Sequence, residues 1–263
     1  MTQWKELHRE SQTRWETNAE FWDDYMGEES NRFHRELIRP YTEELLQIEP
    51  GHVVLDIACG NGNFSRRLAE LGATVTAFDY SSKMIERARR RTKQTDAIVY
   101  KVMDASDAAS LLELGKEKFD RAVANMALMD MADVESLARS LYELLRPGGV
   151  FVFSIPHPCF QTPKMRKITE TEDVDGEIIT RHGIQTFDYL TPVPYQAVGI
   201  RGQPVPHFMF HRPLSYYFNL FFANGFILDG FVEPCFQKEN GKGTFDWYGI
   251  PPVAIFRFKK SAR

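Results

Sequence analysis

The stretch Val53-Val54-Leu55-Asp56-Ile57-Ala58-Cys59-Gly60-Asn61-Gly62-Asn63-Phe64-Ser65 decides the fold. It opens as an apolar run of the kind that forms a buried strand. Gly60 and Gly62 then make a turn that leads into a helix. Glycine adopts the left-handed backbone that so sharp a turn needs, and it leaves room for a ligand against the main chain. Dinucleotide-binding proteins use a similar turn, but two features differ here. Asp56 places a carboxylate at the end of the strand, where a pyrophosphate would be repelled and a cationic ligand attracted. Ser65 stands where the third glycine of a dinucleotide fingerprint would be. The plainer alternative makes Asp56 a strand-end carboxylate that caps a turn.

Outward from this turn, short apolar runs alternate with amphipathic stretches. Strands are expected at Val53–Ala58, Ala73–Phe78, Ile98–Val102, Arg121–Asn125 and Val150–Ile155. Helices are expected at Asn63–Leu71, Ser82–Arg91, Ala105–Leu114 and Asp133–Leu145. In the last of these, Val134, Leu137, Ala138, Leu141, Leu144 and Leu145 recur at helical spacing behind Asp133 as N-cap. Gly72 and Pro147-Gly148-Gly149 are stop signals. Strand and helix in alternation predict an α/β fold with a doubly wound, mostly parallel sheet of seven strands. A helix at Pro213–Ala223 and strands at Phe226–Glu233 and Pro252–Lys259 predict a C-terminal antiparallel hairpin at the sheet edge. Residues 1–50 read as a helical cover, with Trp15, Ala19 and Trp22 on one stripe and Phe33 and Leu37 on another. Residues 156–212 read as a lid inserted after the fifth strand, rich in Pro, Tyr, Phe and His. The cofactor core is expected over 51–155, and 213–263 is expected to complete it.

Composition bounds the function. Of 263 residues, 43% are hydrophobic and 26% charged, as in an ordinary globular protein. No apolar run is long enough to span a bilayer, and the polar start lacks the apolar stretch of a secretory signal. The odd set Cys59, Cys159 and Cys235 has no metal-ligand spacing and fits a reducing cytoplasm. A net charge of −4 argues against a nucleic-acid partner. The basic run Glu86-Arg87-Ala88-Arg89-Arg90-Arg91-Thr92-Lys93 reads as a solvated helix end, with phosphate binding as the alternative. The 20 Phe and 10 Tyr hint at an aromatic pocket, though core packing uses such residues more often.

Two further acids follow strand ends. Asp79, nineteen residues after Gly60, is placed to accept hydrogen bonds from both hydroxyls of a ribose, or else serves the turn before Ser81-Ser82. Asp104 either accepts an adenine amino group, with the Ala105 amide facing a ring nitrogen, or caps a helix. Taken in order, Leu55 to Gly62, Asp79-Tyr80-Ser81, Asp104-Ala105, Phe119-Asp120 and Leu145-Arg146-Pro147-Gly148-Gly149 resemble the class I S-adenosylmethionine-dependent methyltransferases. The likeness runs from Val53 to Ile155 and extends faintly through His211-Arg212-Pro213 and Ala223-Asn224-Gly225-Phe226. It implies a Rossmann-like fold and S-adenosyl-L-methionine as cofactor, with S-adenosyl-L-homocysteine as product. By that resemblance Asp56, Gly60 and Gly62 line the methionine moiety, Asp79 the ribose, and Asp104 and Ala105 the adenine, with Ala58 a further cofactor contact. Tyr80 and Met84 pack on the adenosine, and Asn125 and Met126 sit beside the sulfonium. The segment Trp15–Phe33 resembles the cover of small-molecule members, in which Tyr25, Met26 and Asn31 either touch the cofactor or only pack on the sheet.

The expected reaction moves a methyl group to an oxygen or nitrogen of a small, partly apolar acceptor. His157, in Ile155-Pro156-His157-Pro158, is the candidate general base, because it follows the fifth strand and imidazole titrates near neutrality. The alternatives for it are substrate contact or ordering of the loop. Phe160, Tyr189, His207 and Phe210 are candidate substrate contacts, Phe187, Tyr195, Phe208, Tyr216 and Tyr217 either wall the same cavity or pack in the core, and Asp130 and Cys159 read as structural. Rival readings are a cofactor-binding protein without turnover, a methyltransferase for RNA or protein, and, more remotely, a nicotinamide dehydrogenase.

Overall fold

The computed structural model describes residues 2–236 and 247–261, and among these a seven-stranded sheet forms the centre. Five parallel strands are β1 (Val53–Ile57), β2 (Thr74–Asp79), β3 (Ile98–Val102), β4 (Phe119–Asn125) and β5 (Leu145–Pro156). The C-terminal strands are β10 (Phe226–Val232) and β11 (Val253–Lys260), in the spatial order β10-β11-β5-β4-β1-β2-β3. The expected hairpin is therefore present, but its second strand lies inside it: β11 runs antiparallel to both β5 and β10. Only that strand opposes the rest, since β10 lies antiparallel to β11 and so parallel to β5.

Period-two alternation buries both faces, as a parallel sheet requires. Val54, Val75, Val123, Val152 and Ile255 point to one side, toward α2 (Arg39–Leu46), α3 (Asn63–Glu70) and α4 (Ser82–Arg91). Leu55, Ile57, Ala122, Phe151, Phe153 and Phe256 point to the other. There they meet α5 (Ala108–Leu112), α6 (Glu135–Leu144) and α7 (Leu214–Ala223). Much of the phenylalanine surplus is spent here: the Phe153 and Phe256 rings stack at 4.6 Å, and Phe221 meets Phe258 at 4.6 Å. Helix α6 starts where Asp133 Oδ1 accepts from the Glu135 and Ser136 amides. Helix α5 is shorter than expected and is capped by Asp107, not Asp104.

The long helix α1 (Thr2–Met26) and a π-helical turn at His34–Ile38 precede α2. Between β5 and α7 stand two antiparallel pairs, β6 (Arg166–Val174) with β7 (Glu177–Gln185) and β8 (Val193–Ala197) with β9 (His207–His211). The first pair is mostly exposed on both faces, which erases the alternation by which strands are read from sequence. The second carries α1: the Asn18 side chain exchanges hydrogen bonds with the Val205 main chain, and Arg14 Nη1 donates to the Pro206 carbonyl. The basic run of α4 is not simply a solvated end. Arg87 and Arg91 reach the buried Asp23 of α1 at 3.1 and 2.6 Å, while Arg90 pairs with Glu86 along the exposed face.

Candidate functional site

All five parallel strands end at one cavity of about 1000 Å³, with α1 and the β8–β9 pair forming further walls. Ligands bind at this carboxyl edge in open α/β sheets. Ala58 after β1, Asp79 at the end of β2 and Tyr80 after it, Met103 and Asp104 after β3, Asn125 and Met126 at β4, and Pro156 at β5 all line it.

The glycine turn is built for close approach. Gly60 has φ +54° and a Cβ there would meet nothing within 4 Å, so its main chain faces open space. Gly62 does something else. With φ +75° it heads α3, and a Cβ would fall 2.4 Å from the Tyr100 hydroxyl; it packs behind the turn and does not line the cavity, contrary to expectation. The residue in place of a third glycine also has a role, since Ser65 Oγ donates to Asp56 Oδ2 at 2.5 Å. Ala58 and Met126 both take left-handed backbone at the cavity edge, an arrangement that costs energy and recurs at ligand sites.

Acids dominate this end. Asp79 Oδ2 accepts from the Gly60 amide at 3.0 Å and Oδ1 from the Ser81 amide at 2.9 Å. Burial pushes Asp56 up to about 7, with Ser65 opposing and Asp79 adding to the rise. Burial likewise pushes Asp79 up to about 6 against its two amide donors. The donor set fits S-adenosylmethionine and not a diphosphate: the Gly60 amide is turned to Asp79, the Gly62 amide bonds the Cys59 carbonyl, and the carboxylates favour a cation.

Asp104 lines the cavity but is already engaged. Its Oδ2 lies 2.6 Å from His8 Nε2, and its Oδ1 accepts from the amide and hydroxyl of Ser106. Burial would raise Asp104, yet the His8 and Ser106 bonds outweigh it and leave the carboxyl below its usual range. The same bond raises His8 against the effect of its burial, which favours the protonated imidazole. Thus His8 stands where the adenine amino group was expected. Ala105, Tyr80, Met84, Tyr25, Met26, Asn31, Asn125 and Met126 also line the cavity, while Asn31 Oδ1 accepts from the His34 amide.

The acceptor candidates fare unevenly. His157 is outside the wall and 1% exposed; its Nε2 lies 2.7 Å from Glu233 Oε1 and its Nδ1 accepts from the Cys159 amide. With both ring nitrogens used, it orders the loop and has no geometry for general-base work. Phe160 packs on His157, Tyr189 receives the Leu214 amide, and Phe210 is buried against Trp4, none of them on the cavity. His207 does line it, as does Tyr195, and with them stand residues that sequence reasoning left outside the site: Trp15, Trp22 and Asp130. Asp130 had read as structural. In the fold its Oδ1 is buried with no hydrogen-bond partner, and His207 Nε2 stands 3.9 Å away. The signal for it was only its place five residues past β4.

Comparison with known proteins agrees with this geometry. A family described as a methyltransferase domain matches residues 55–153. The chain is 35% identical over 127 residues to an uncharacterized methyltransferase of Synechocystis sp., covering 48% of this chain and 53% of that protein. It is 33% identical over 124 residues to the malonyl-[acyl-carrier protein] O-methyltransferase of Enterobacter lignolyticus, covering 46% and 47%. The match thus spans about half the length of these relatives. An S-adenosylmethionine-dependent methyltransferase from Mesorhizobium loti superposes with a TM-score of 0.64 at 26% identity, covering 84% of this chain and 96% of that one. Glycine turn, strand-end acids, sheet order and these likenesses converge: residues 55–153 are a methyltransferase domain of the class I, Rossmann-like, S-adenosylmethionine-dependent type.

Proposed function

We propose that this chain transfers the methyl group of S-adenosylmethionine to a nitrogen or oxygen of a small, partly apolar acceptor held in the same cavity. One observation carries the reading: the cavity has an acidic end at the glycine turn and an aromatic, thioether-rich end past β4, with room for a nucleoside and a second molecule. When bound, the cofactor supplies an electrophilic methyl group on a cationic sulfur. Asp79 would hold the ribose hydroxyls with the oxygen lone pairs its two amide bonds leave over. Asp56 and the open main chain at Gly60 would hold the methionine moiety, and Tyr80, Met84 and Ala105 the adenosine. Asn125 and Met126 would flank the reacting sulfur. The wall formed by α1 and β8–β9 would keep water out and hold the acceptor near attack distance, which can supply roughly 7–11 kcal/mol in favourable cases.

A small acceptor, not a nucleic acid, is favoured by the net charge of −4. A cytoplasmic setting fits the three free cysteines, and no helix among the described residues is long and apolar enough to cross a membrane. A carboxylate acceptor, such as the malonyl relative's name describes, is disfavoured. Among the cavity-lining residues that follow β4 and β5 or belong to β8–β9 and its turn, none is Lys or Arg. The test is release of S-adenosylhomocysteine in the presence of amine, phenol and carboxylate panels, beside calorimetric binding of the cofactor. Cofactor binding without turnover on any panel would leave a binding protein; no cofactor binding at all would remove the reading.

A further inference from the structure

We propose that the acceptor is an amine that arrives as a cation, received by the rings of Trp15, Trp22 and Tyr195 and by the carboxylate of Asp130; this rests on the methyl-transfer reading above. Three observations point there. First, aromatic side chains are gathered on the cavity wall. The Trp15 and Trp22 centroids lie 5.3 Å apart at 52°, and Trp15 lies 5.0 Å from the His207 ring. Electron-rich rings that border a cavity attract a cation through their quadrupoles, tryptophan most strongly. Gln203 holds the group in place: its Oε1 accepts from Trp22 Nε1 at 3.2 Å, and its Nε2 lies 3.1 Å from His207 Nδ1.

Second, Asp130 is an acid in want of a partner. Its buried Oδ1 has no hydrogen-bond partner, and a buried acceptor left without one is destabilising. His207 does not neutralise it, because 3.9 Å is too long for a hydrogen bond and burial pushes that imidazole down to about 4. An ammonium group supplies both the charge and the N–H donors that the carboxylate lacks. Third, the remaining wall here is neutral: Met129, Met131 and Met209 add thioethers, and Gln161 and Thr162 add polar, uncharged groups. A carboxylate or phosphate would find no cation in this wall.

The same carboxylate readies the nucleophile. An ammonium has no lone pair. When its N–H proton moves to an Asp130 oxygen, the bonding pair stays on nitrogen, the amine becomes neutral, and the carboxylate becomes the carboxylic acid. Burial raises Asp130 well above an ordinary carboxylate, with Asp79 adding to the effect, which favours the protonated form that this transfer leaves.

The experiment uses the full chain saturated with S-adenosylhomocysteine. Protonated 2-(dimethylamino)ethanol carries one N–H, and 3-methylbutan-1-ol shares its shape without the charge; each is titrated by calorimetry and by tryptophan fluorescence. The expected result is the aminoalcohol binding at least tenfold tighter than its neutral isostere. Asp130→Asn should reduce that preference below threefold while S-adenosylhomocysteine affinity stays unchanged. Trp15→Leu, which spares the carboxylate, should weaken the aminoalcohol at least fivefold. A native preference under tenfold, or aminoalcohol affinity unchanged in either variant, overturns the amine assignment alone. Failure of the native chain to bind S-adenosylhomocysteine overturns the cofactor reading and takes the assignment with it.

Discussion

Asp56 and Asp79 flank the glycine turn, and each is held above its ordinary 3.8 by burial, to about 7 and about 6. Both therefore bind protons more tightly folded than unfolded. Their protonated forms stabilise the fold fully below about pH 4, and that contribution is lost as pH rises through about 6 and 7. A cationic ligand makes the opposite demand, since it favours the carboxylates. The cofactor-free protein should lose thermal stability between pH 4 and 7, while cofactor affinity falls on acidification through about pH 7 to 6. The fall approaches tenfold per pH unit for each group that must ionise. Calorimetry across pH 5–8 checks this, and a flat affinity profile would take both acids out of cofactor binding. Asp79→Ala should weaken S-adenosylhomocysteine binding tenfold or more, because two charge-assisted bonds of roughly 1.5–3 kcal/mol each are removed. His157→Ala should act on stability instead, costing about 1–3 kcal/mol through the lost Glu233 bond and the void, with kcat nearly unchanged. A large drop in kcat at unaltered stability would return His157 to the chemistry.

At the level of the element, α1 determines whether the cavity has a wall. It is tied down twice, by Asp23 to Arg87 and Arg91 of α4 and by His8 to Asp104 after β3. Asp23 also accepts from Asn61 Nδ2 inside the glycine turn, so helix and turn share one buried carboxylate. The Arg91 and Asn61 bonds prevail over burial and hold Asp23 below its usual range. Removing a buried ion partner leaves its mate uncompensated. Arg91→Ala should therefore loosen α1, visible as faster amide exchange over 8–26, with a loss of about 1–3 kcal/mol and weaker cofactor binding. Unchanged exchange would mean that α1 is held without the Arg91 bonds.

At the scale of the whole molecule, a rigid parallel sheet presents its strand ends, and insertions around it complete the cavity. The two insertions after β5 differ in their relation to it. β8–β9 contributes Tyr195, His207 and Met209 to the wall, whereas no residue of β6–β7 does. The β6–β7 ladder pairs evenly from Arg166↔Gln185 to Val174↔Glu177 and ends in the left-handed Asp175-Gly176 turn. Trimming it to a two-residue turn beyond Thr169↔His182 should leave cofactor affinity within twofold and the melting temperature within a few degrees. Loss of binding would make that hairpin part of the site.

What could be read before folding was whatever depends on neighbours in the chain. The run Val53–Ser65, the acids closing β2 and β3, and the helical period of α6 are local patterns, so the sheet, its helices and most of the nucleoside end were legible. The strand order within the C-terminal hairpin was not, because pairing of β11 with β5 joins residues about a hundred positions apart. Separation along the chain also hid Asp130, which meets His207 only when β9 packs beside it. It also hid the fate of His157, whose ring is claimed by Glu233. Burial, charge pairing and the wall beyond β4 are properties of surfaces brought together, and tertiary packing alone decided them.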